Sequence, residues 1–151
     1  MEITYQDVLL INKLSLLEGE PYGVMDAPRI FSAIGNQYQP YPNHQQAFSS
    51  VYKSLVINHG FMNGNKRTGV IALYIASKLM NNAILLNDQE LCDLTYQIAG
   101  EGGSHISVED IANKVFGEQI TKEETIEELD IKQLVVDYVK DHKWLMEELA
   151  K

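Results

Sequence analysis

The chain is poor in cysteine and in long apolar runs. Cys92 is its single cysteine among 151 residues, so an internal disulfide and a multi-cysteine zinc knuckle are both excluded. The longest nearly uncharged apolar stretch runs only from Thr68 to Ser77, far short of the roughly 20 residues that span a bilayer. The N-terminal segment carries Glu2 and Asp7 where a signal peptide would be basic. We therefore expect a soluble, cytoplasmic protein with Cys92 as a small core residue.

Positive charge is also scarce. There are 12 basic against 21 acidic side chains, and the formal net charge is −9. Such a surface repels nucleic acids and anionic membranes, which argues against a nucleic-acid binder or a membrane-surface protein. Any phosphate site must therefore be local, and the adjacent pair Lys66 and Arg67 stands out in this acidic background.

Alternating β patterns are rare, whereas apolar residues recur at helical spacing along most of the chain. A chain of this size can bury about 70% of its unfolded surface. We predict an all-α fold, a compact bundle of about six to eight helices. The run from Gly69 to Ala76 is apolar on every side, which is typical of a central helix enclosed by the others. Helices are predicted at about 4–17, 26–34, 44–58, from 66 onward, 87–99 and 107–116. Polar residues suited to cap their N-termini are Thr4, Asp26, Asn87 with Asp88, and Ser107.

Two segments break this pattern. The stretch 37–43 has two prolines within three residues and cannot be helical, so it is either a bare linker or an extended flap that lies over a site and precedes the helix predicted from 66 onward. After Gly117 the chain becomes acidic, and an apolar stripe then begins at Ile131 and continues to Leu149 at spacings of three and four, which predicts one C-terminal helix. We divide the chain into 1–117 and an acidic C-terminal helical extension, 118–151. Its stripe either docks on the same domain or forms an oligomer or partner surface.

The segment 59–67, His-Gly-Phe-Met-Asn-Gly-Asn-Lys-Arg, delivers a loop directly into a helix start. Free backbone N–H groups and the positive end of the helix dipole bind phosphate at such a place. Gly64 allows close approach of an anion and Asn65 adds an amide donor. Lys66 adds a point charge, and Arg67 offers a planar fork for phosphate oxygens.

His59 ends the preceding predicted helix, and the loop can return its imidazole to the same phosphate. A neutral histidine can take a proton from an attacking hydroxyl, while Phe61 would anchor the loop in the core. Phosphoryl transfer mainly requires positioning and charge neutralisation, which this cluster offers. Each piece also has an ordinary reading, as a turn, a helix cap or a solvated cation pair. A Walker loop is excluded because its glycine spacing is absent and no strand precedes the segment.

The assembled order closely resembles the signature of the Fic/Doc family, whose general form is His-x-Phe-x-acid-small-Asn-Gly/Lys-Arg. Asn-Lys-Arg without a second arginine three residues later is the form of the death-on-curing (Doc) toxin branch. Asn-Gly-Arg followed by that arginine marks the adenylyl transferases. This chain has Lys66 and, at the later position, Val70. The resemblance covers residues 1 to about 117 and implies an all-α fold with the motif between two helices.

The resemblance implies a toxin-like enzyme that moves a phosphate from ATP, with Mg²⁺, to a hydroxyl of a target protein, in the family a translation elongation factor. It makes His59 the general base. The implied phosphate-binding residues are Gly64, Asn65, Lys66 and Arg67. The implied flap that aligns the target includes Tyr38, Gln39 and Tyr41.

One position departs from the family pattern. Asn63 stands where the family has an acid that helps to hold Mg²⁺, a cation that prefers charged oxygen ligands. Either the phosphates carry most of the metal coordination and activity persists, or the chain is slow, uses another donor or has lost transfer. Nucleotidyl transfer of the Fic type and a non-catalytic phosphate-binding module are the alternative functions. The Ser/Thr-x-x-x-Glu inhibitory motif of the family is absent from this sequence, so an antitoxin acting in trans is expected, and a homo-oligomer is possible.

Overall fold

The computed structural model describes residues 2–100, 105–119 and 130–151. Within these ranges the chain is mainly helical, which confirms the all-α class. The α-helices are α1 (Tyr5–Ser15), α2 (Ala27–Gly35), α3 (His44–Ile57), α4 (Asn65–Met80), α5 (Asp88–Ala99), α6 (Val108–Val115), α7 (Ile131–Asp141) and α8 (Lys143–Glu148). A 3₁₀ turn, Asn36–Tyr38, follows α2. None of the described helices is both long and apolar enough to cross a membrane.

The helix starts follow the capping residues predicted from sequence. The Thr4 hydroxyl accepts from the Asp7 N–H at 3.1 Å, and the Asp7 carboxylate accepts from the Thr4 N–H at 2.9 Å, a complete capping box. Asp26, Asn87 and Ser107 cap α2, α5 and α6 in the expected places. These local bonds satisfy backbone N–H groups that the helices leave unpaired.

Helix α4 is the predicted central helix. Its 16 residues, about 24 Å of helix, pack mainly against α3 and also touch α1, α5 and α7. In the predicted run from Gly69 to Ala76 every residue is buried except Tyr74, which is half-buried. Close packing on α3 requires Gly69, because a Cβ there would lie 2.7 Å from Val56 Cγ2 and 3.3 Å from the Tyr52 carbonyl oxygen.

Gly69→Ala should therefore destabilise the fold by about 1–3 kcal/mol, because α3 and α4 must separate to admit the methyl group. Urea unfolding followed by circular dichroism measures the loss. Gly35→Ala is the matched control, since nothing lies within 4 Å of a Cβ at the end of α2. Equal stability of the two variants would show that α3 and α4 are less tightly packed than described here.

The C-terminal stripe was expected to be one helix, and that expectation is wrong. The chain breaks at His142, between α7 and α8. The His142 ring stacks on Tyr138 with centroids 4.0 Å apart, and its Nδ1 lies 2.8 and 3.0 Å from the carboxylate oxygens of Asp88. After the break α8 packs on α5, whereas α7 packs on α1 and α4.

The C-terminal helices dock on their own chain, which was one of the two predicted alternatives. Val135, Leu145 and Met146 are at most 1% exposed and belong to the same core cluster as the residues of α1 and α4. The expected boundary after residue 117 falls inside a short strand, β2 (Phe116–Gln119), which pairs antiparallel with β1 (Asn82–Ile84). Most of the acidic stretch before α7 and of the loop after α5 lies outside the described residues.

Candidate functional site

The loop between α3 and α4 carries the motif, and two left-handed residues shape it. His59 has φ +49° and Gly64 has φ +78°. Glycine adopts this conformation without strain, whereas for histidine it is uncommon and persists only where the surroundings enforce it. The two reversals end α3 and lead the chain into the first turn of α4.

The Asn65 side chain holds this loop closed. Its Nδ2 donates to the Phe61 carbonyl at 2.9 Å, and its Oδ1 accepts from the Phe61 N–H at 3.0 Å. Phe61 itself is 3% exposed, as expected of a buried anchor. The Asn65 amide was expected to bind phosphate, but here it is bonded to the loop backbone, so its contribution is to shape the site.

A residue that the sequence analysis missed fixes the other side of the loop. Asn12 is fully buried on α1, and its Nδ2 donates to the Asn63 carbonyl at 2.7 Å and to the Thr68 hydroxyl at 3.0 Å. The Asn63 side chain in turn donates to the Pro21 carbonyl at 3.0 Å. From the sequence alone, Asn12 was recognisable only as a polar residue next to the apolar positions of the first helix.

Arg67 was expected to bind phosphate oxygens, but its guanidinium is already bonded to other residues of the protein. The residue is 1% exposed, and its Nη1 donates to Glu20 Oε1 and to the Ser15 carbonyl, both at 2.7 Å. Its Nη2 donates to Glu20 Oε2 at 2.8 Å. A buried guanidinium requires such a partner because desolvation of an unpaired charge is costly. Arg67 thus fastens the segment after α1 to α4.

Lys66 is also in contact with the protein. Its ammonium lies 5.4 Å from the centre of the Tyr96 ring, a cation–π contact. The Tyr96 hydroxyl donates to the carbonyl oxygens of Glu148 at 2.5 Å and of Lys151 at 3.2 Å. The last described residues therefore reach the motif, a contact between distant segments that no local pattern indicated.

These groups surround one polar depression of about 170 Å³. The exposed His59 lies on its wall together with the first turn of α4. Among the described residues no side chain caps α4, and its first main-chain bond runs from the Thr68 N–H to the Gly64 carbonyl at 2.8 Å. The N–H groups of residues 65–67 precede that bond and form the positive end of the helix. The residues lining the depression are Glu20, His59, Met62, Asn63, Gly64, Asn65, Lys66, Arg67, Leu149, Ala150 and Lys151.

The expected flap residues lie elsewhere, and that assignment is wrong. Gln39 and Tyr41 line a separate depression with Met80 and Asn82, at the opposite end of α4. The Tyr41 hydroxyl donates to the Ser50 hydroxyl at 2.9 Å. The Tyr38 hydroxyl likewise donates away from the motif, to the Glu2 carboxylate. The length of α4 separates this segment from the motif loop.

The extended segment beside the motif loop is 22–26. The Met25 N–H donates to the Gly60 carbonyl at 2.8 Å, and the Met62 N–H donates to the Gly23 carbonyl at 2.9 Å. An isolated antiparallel bridge joins Val24 to Phe61. The expected extended element before the motif helix thus exists, but an earlier part of the sequence forms it.

Carboxylates are sparse around the motif. In the described part of the chain no three histidine, cysteine or acidic side chains come together as a metal cluster. Asn63 offers one neutral amide oxygen, because its nitrogen is bonded to Pro21. Mg²⁺ is commonly held by one or two protein oxygens together with substrate phosphates, so this donor set fits a metal that arrives with a nucleotide.

Comparisons of the chain with protein-family models, with curated proteins and with solved structures find no match. The functional reading therefore depends on the motif at 59–67 and on the geometry around it.

The ion pair at the site gives stability a defined acid dependence. Hydrogen bonds from Arg67, followed by the Leu17 N–H, hold the pKa of Glu20 below its ordinary value of 4.5. A lowered pKa contributes stability that is present above pH 4.5 and is lost as pH falls through the folded-state pKa. Glu20→Gln should therefore flatten the fall in stability below pH 4.5, measured by urea unfolding across pH. If the Glu20→Gln and wild-type proteins lost stability equally below pH 4.5, the ion pair would not have this role.

Proposed function

We propose that the chain transfers the γ-phosphate of ATP to a hydroxyl of a target protein. One observation carries the proposal: the exposed imidazole of His59 and the uncapped first turn of α4 line the same small depression. An imidazole supports removal of a proton, and unpaired main-chain N–H groups support binding of a phosphate. The resemblance of the segment 59–67 to the death-on-curing signature supports the same reaction.

In the proposed step His59 takes the proton of the target hydroxyl, whose oxygen then bonds to the γ-phosphorus. The bond from that phosphorus to the bridging oxygen breaks, and ADP leaves with the electron pair. The N–H groups of residues 65–67 stabilise the charge on the phosphate oxygens, with Lys66 adding a positive charge nearby. Asn65 and Arg67 are positioning residues in this account, because their side chains bond to the loop and to Glu20.

Mg²⁺ would accompany ATP and neutralise phosphate charge, with the Asn63 amide oxygen as one ligand and the phosphates as others. The target proposed from the resemblance is a translation elongation factor, and the proposed regulator is an antitoxin in trans. ATP and translation factors occur together in the cytoplasm, where we propose that the protein acts. The exposed His59 and the half-buried Asn65 and Lys66 line the depression, which supports access by a protein hydroxyl at the side of His59.

Two other functions compete with γ-phosphate transfer. Nucleotidyl transfer is the reaction of the adenylyl transferase branch, but Val70 stands where that branch has its second arginine. A non-catalytic phosphate-binding module is favoured by the neutral Asn63 and by the ion pair that occupies Arg67.

Transfer of label from ATP separates the three functions. Purified protein is incubated with Mg²⁺, a cell lysate and ATP labelled at either the γ- or the α-phosphate. The proposal predicts label on a protein from the γ position only, and only when His59 is present. A parallel incubation with the His59→Ala protein subtracts the label that kinases of the lysate transfer. Label from the α position would establish nucleotidyl transfer, and binding of ATP without label on any protein would favour the binding module.

A further inference from the structure

A carboxylate from outside the motif lies beside Asn63. Glu20 belongs to the segment after α1, yet it lines the same depression as Asn63 and Gly64. A hydrogen bond joins the segment of Glu20 to the motif loop, because the Asn63 side chain donates to the carbonyl of Pro21, the residue next to Glu20. The carboxylate is also near the start of α4. Arg67 Nη2, which Glu20 Oε2 contacts at 2.8 Å, lies 3.6 Å from the place of a Cβ on Gly64.

The two carboxylate oxygens of Glu20 differ in the number of hydrogen bonds that they already accept. Oε1 accepts from the Leu17 N–H at 2.6 Å and from Arg67 Nη1 at 2.7 Å. Oε2 accepts from Arg67 Nη2 alone among the contacts within the described residues. Each carboxylate oxygen has two lone pairs, so Oε2 retains one. The side chain is 23% exposed, which leaves it accessible from the depression.

We propose that Glu20 supplies the carboxylate that the motif lacks at position 63, so that Glu20 Oε2 and the Asn63 amide oxygen together bind the divalent cation that accompanies ATP. This inference depends on the proposed use of ATP at this site. Two protein oxygens with phosphate and water oxygens satisfy Mg²⁺, which rarely uses an all-protein cage. Arg67 then has a positioning role, because its fork fixes the carboxylate while leaving the second lone pair of Oε2 unused.

Sequence reasoning could not find this donor. Glu20 lies 43 positions before Asn63, and only the folding of the segment after α1 onto α4 brings the two together. The replacement is also chemically reasonable, since a hard cation gains more from one anionic oxygen than from a second neutral amide.

Binding of Mn²⁺ in the presence of ATP, followed by electron paramagnetic resonance, tests the proposal without requiring catalysis. Glu20→Gln should weaken Mn²⁺ binding about tenfold or more, because a charged ligand becomes a neutral one. Glu18→Gln is the matched control, with the same chemical change at an exposed position two residues earlier. It should bind Mn²⁺ like the wild type.

A second variant controls for damage to the ion pair with Arg67. Asn63→Asp returns an acid to the motif position, and in the Glu20→Gln background it should recover most of the lost Mn²⁺ affinity. Circular dichroism establishes that each variant is folded. In the wild type, bound Mn²⁺ should also broaden the amide NMR signals of residues 20 and 63–65 before others, a measurement that needs no substitution.

The possible failures are distinguishable. Wild-type Mn²⁺ affinity in the Glu20→Gln protein, or broadening centred elsewhere, overturns the role of Glu20 even if label still transfers from γ-labelled ATP. Binding through Glu20 without any transfer supports this inference and contradicts the proposed function. If the wild type binds no Mn²⁺ with ATP, both are wrong.

Discussion

His59→Ala is expected to lower the rate of γ-phosphate transfer by about 10²–10⁴-fold, the usual contribution of a positioned general base. The imidazole is exposed and lines the depression at the start of α4, and its removal leaves the phosphate-binding amides in place. ATP affinity should therefore change little while the rate of transfer falls. Initial rates of label incorporation and calorimetric ATP binding, measured on the same preparation, provide the two quantities.

His44→Ala is the matched control for that result. His44 is also an exposed histidine, but it begins α3 near the opposite end of α4 and lines the depression that contains Tyr41. Its variant should transfer phosphate at the wild-type rate. Equal rates for His59→Ala and wild type would remove the general base from the account and leave the phosphate-binding module as the better description.

Arg67→Met is expected to cost about 2–3 kcal/mol of folding free energy, because the Ser15 carbonyl loses its donor and Glu20, which stays 23% exposed to water, loses its charged partner. The guanidinium is 1% exposed and makes three hydrogen bonds, two to Glu20 and one to the Ser15 carbonyl. Urea unfolding followed by circular dichroism measures the loss.

Arg29→Met provides the comparison. Arg29 pairs with Asp26 at 3.1 Å, but the two side chains are 59% and 39% exposed. An exposed pair contributes about 0–1 kcal/mol. If Arg67→Met were no less stable than Arg29→Met and instead lost ATP binding, Arg67 would be a phosphate ligand, and its pairing with Glu20 would not describe the working site.

The local features of this fold were predictable from sequence because their causes are local. Thr4, Asp26, Asn87 and Ser107 cap helices through bonds that span three residues. The central position of α4 followed from a run that is apolar on every side. The motif loop was also found, since its glycine and asparagines mark a turn into a helix.

The features that could not be predicted depend on contacts between distant segments. The partner of Arg67 lies 47 positions earlier, in a stretch without regular pattern. The flap was expected to include Tyr38, Gln39 and Tyr41, whereas backbone hydrogen bonds to Gly60 place the segment 22–26 beside the motif loop. At the break His142 contacts Asp88, which lies 54 positions earlier, and the periodicity of the C-terminal stripe does not indicate that contact.

In the proposed reaction, main-chain N–H groups at the start of α4 bind the phosphates of ATP beside His59. The most direct measurement is an amide ¹H–¹⁵N NMR titration of the protein with ATP and Mg²⁺. The largest shifts are expected at residues 64–67, with smaller ones at residue 59. Shifts concentrated instead around Tyr74 and His142, which line a separate cavity of about 370 Å³ at the other end of α4, would contradict it.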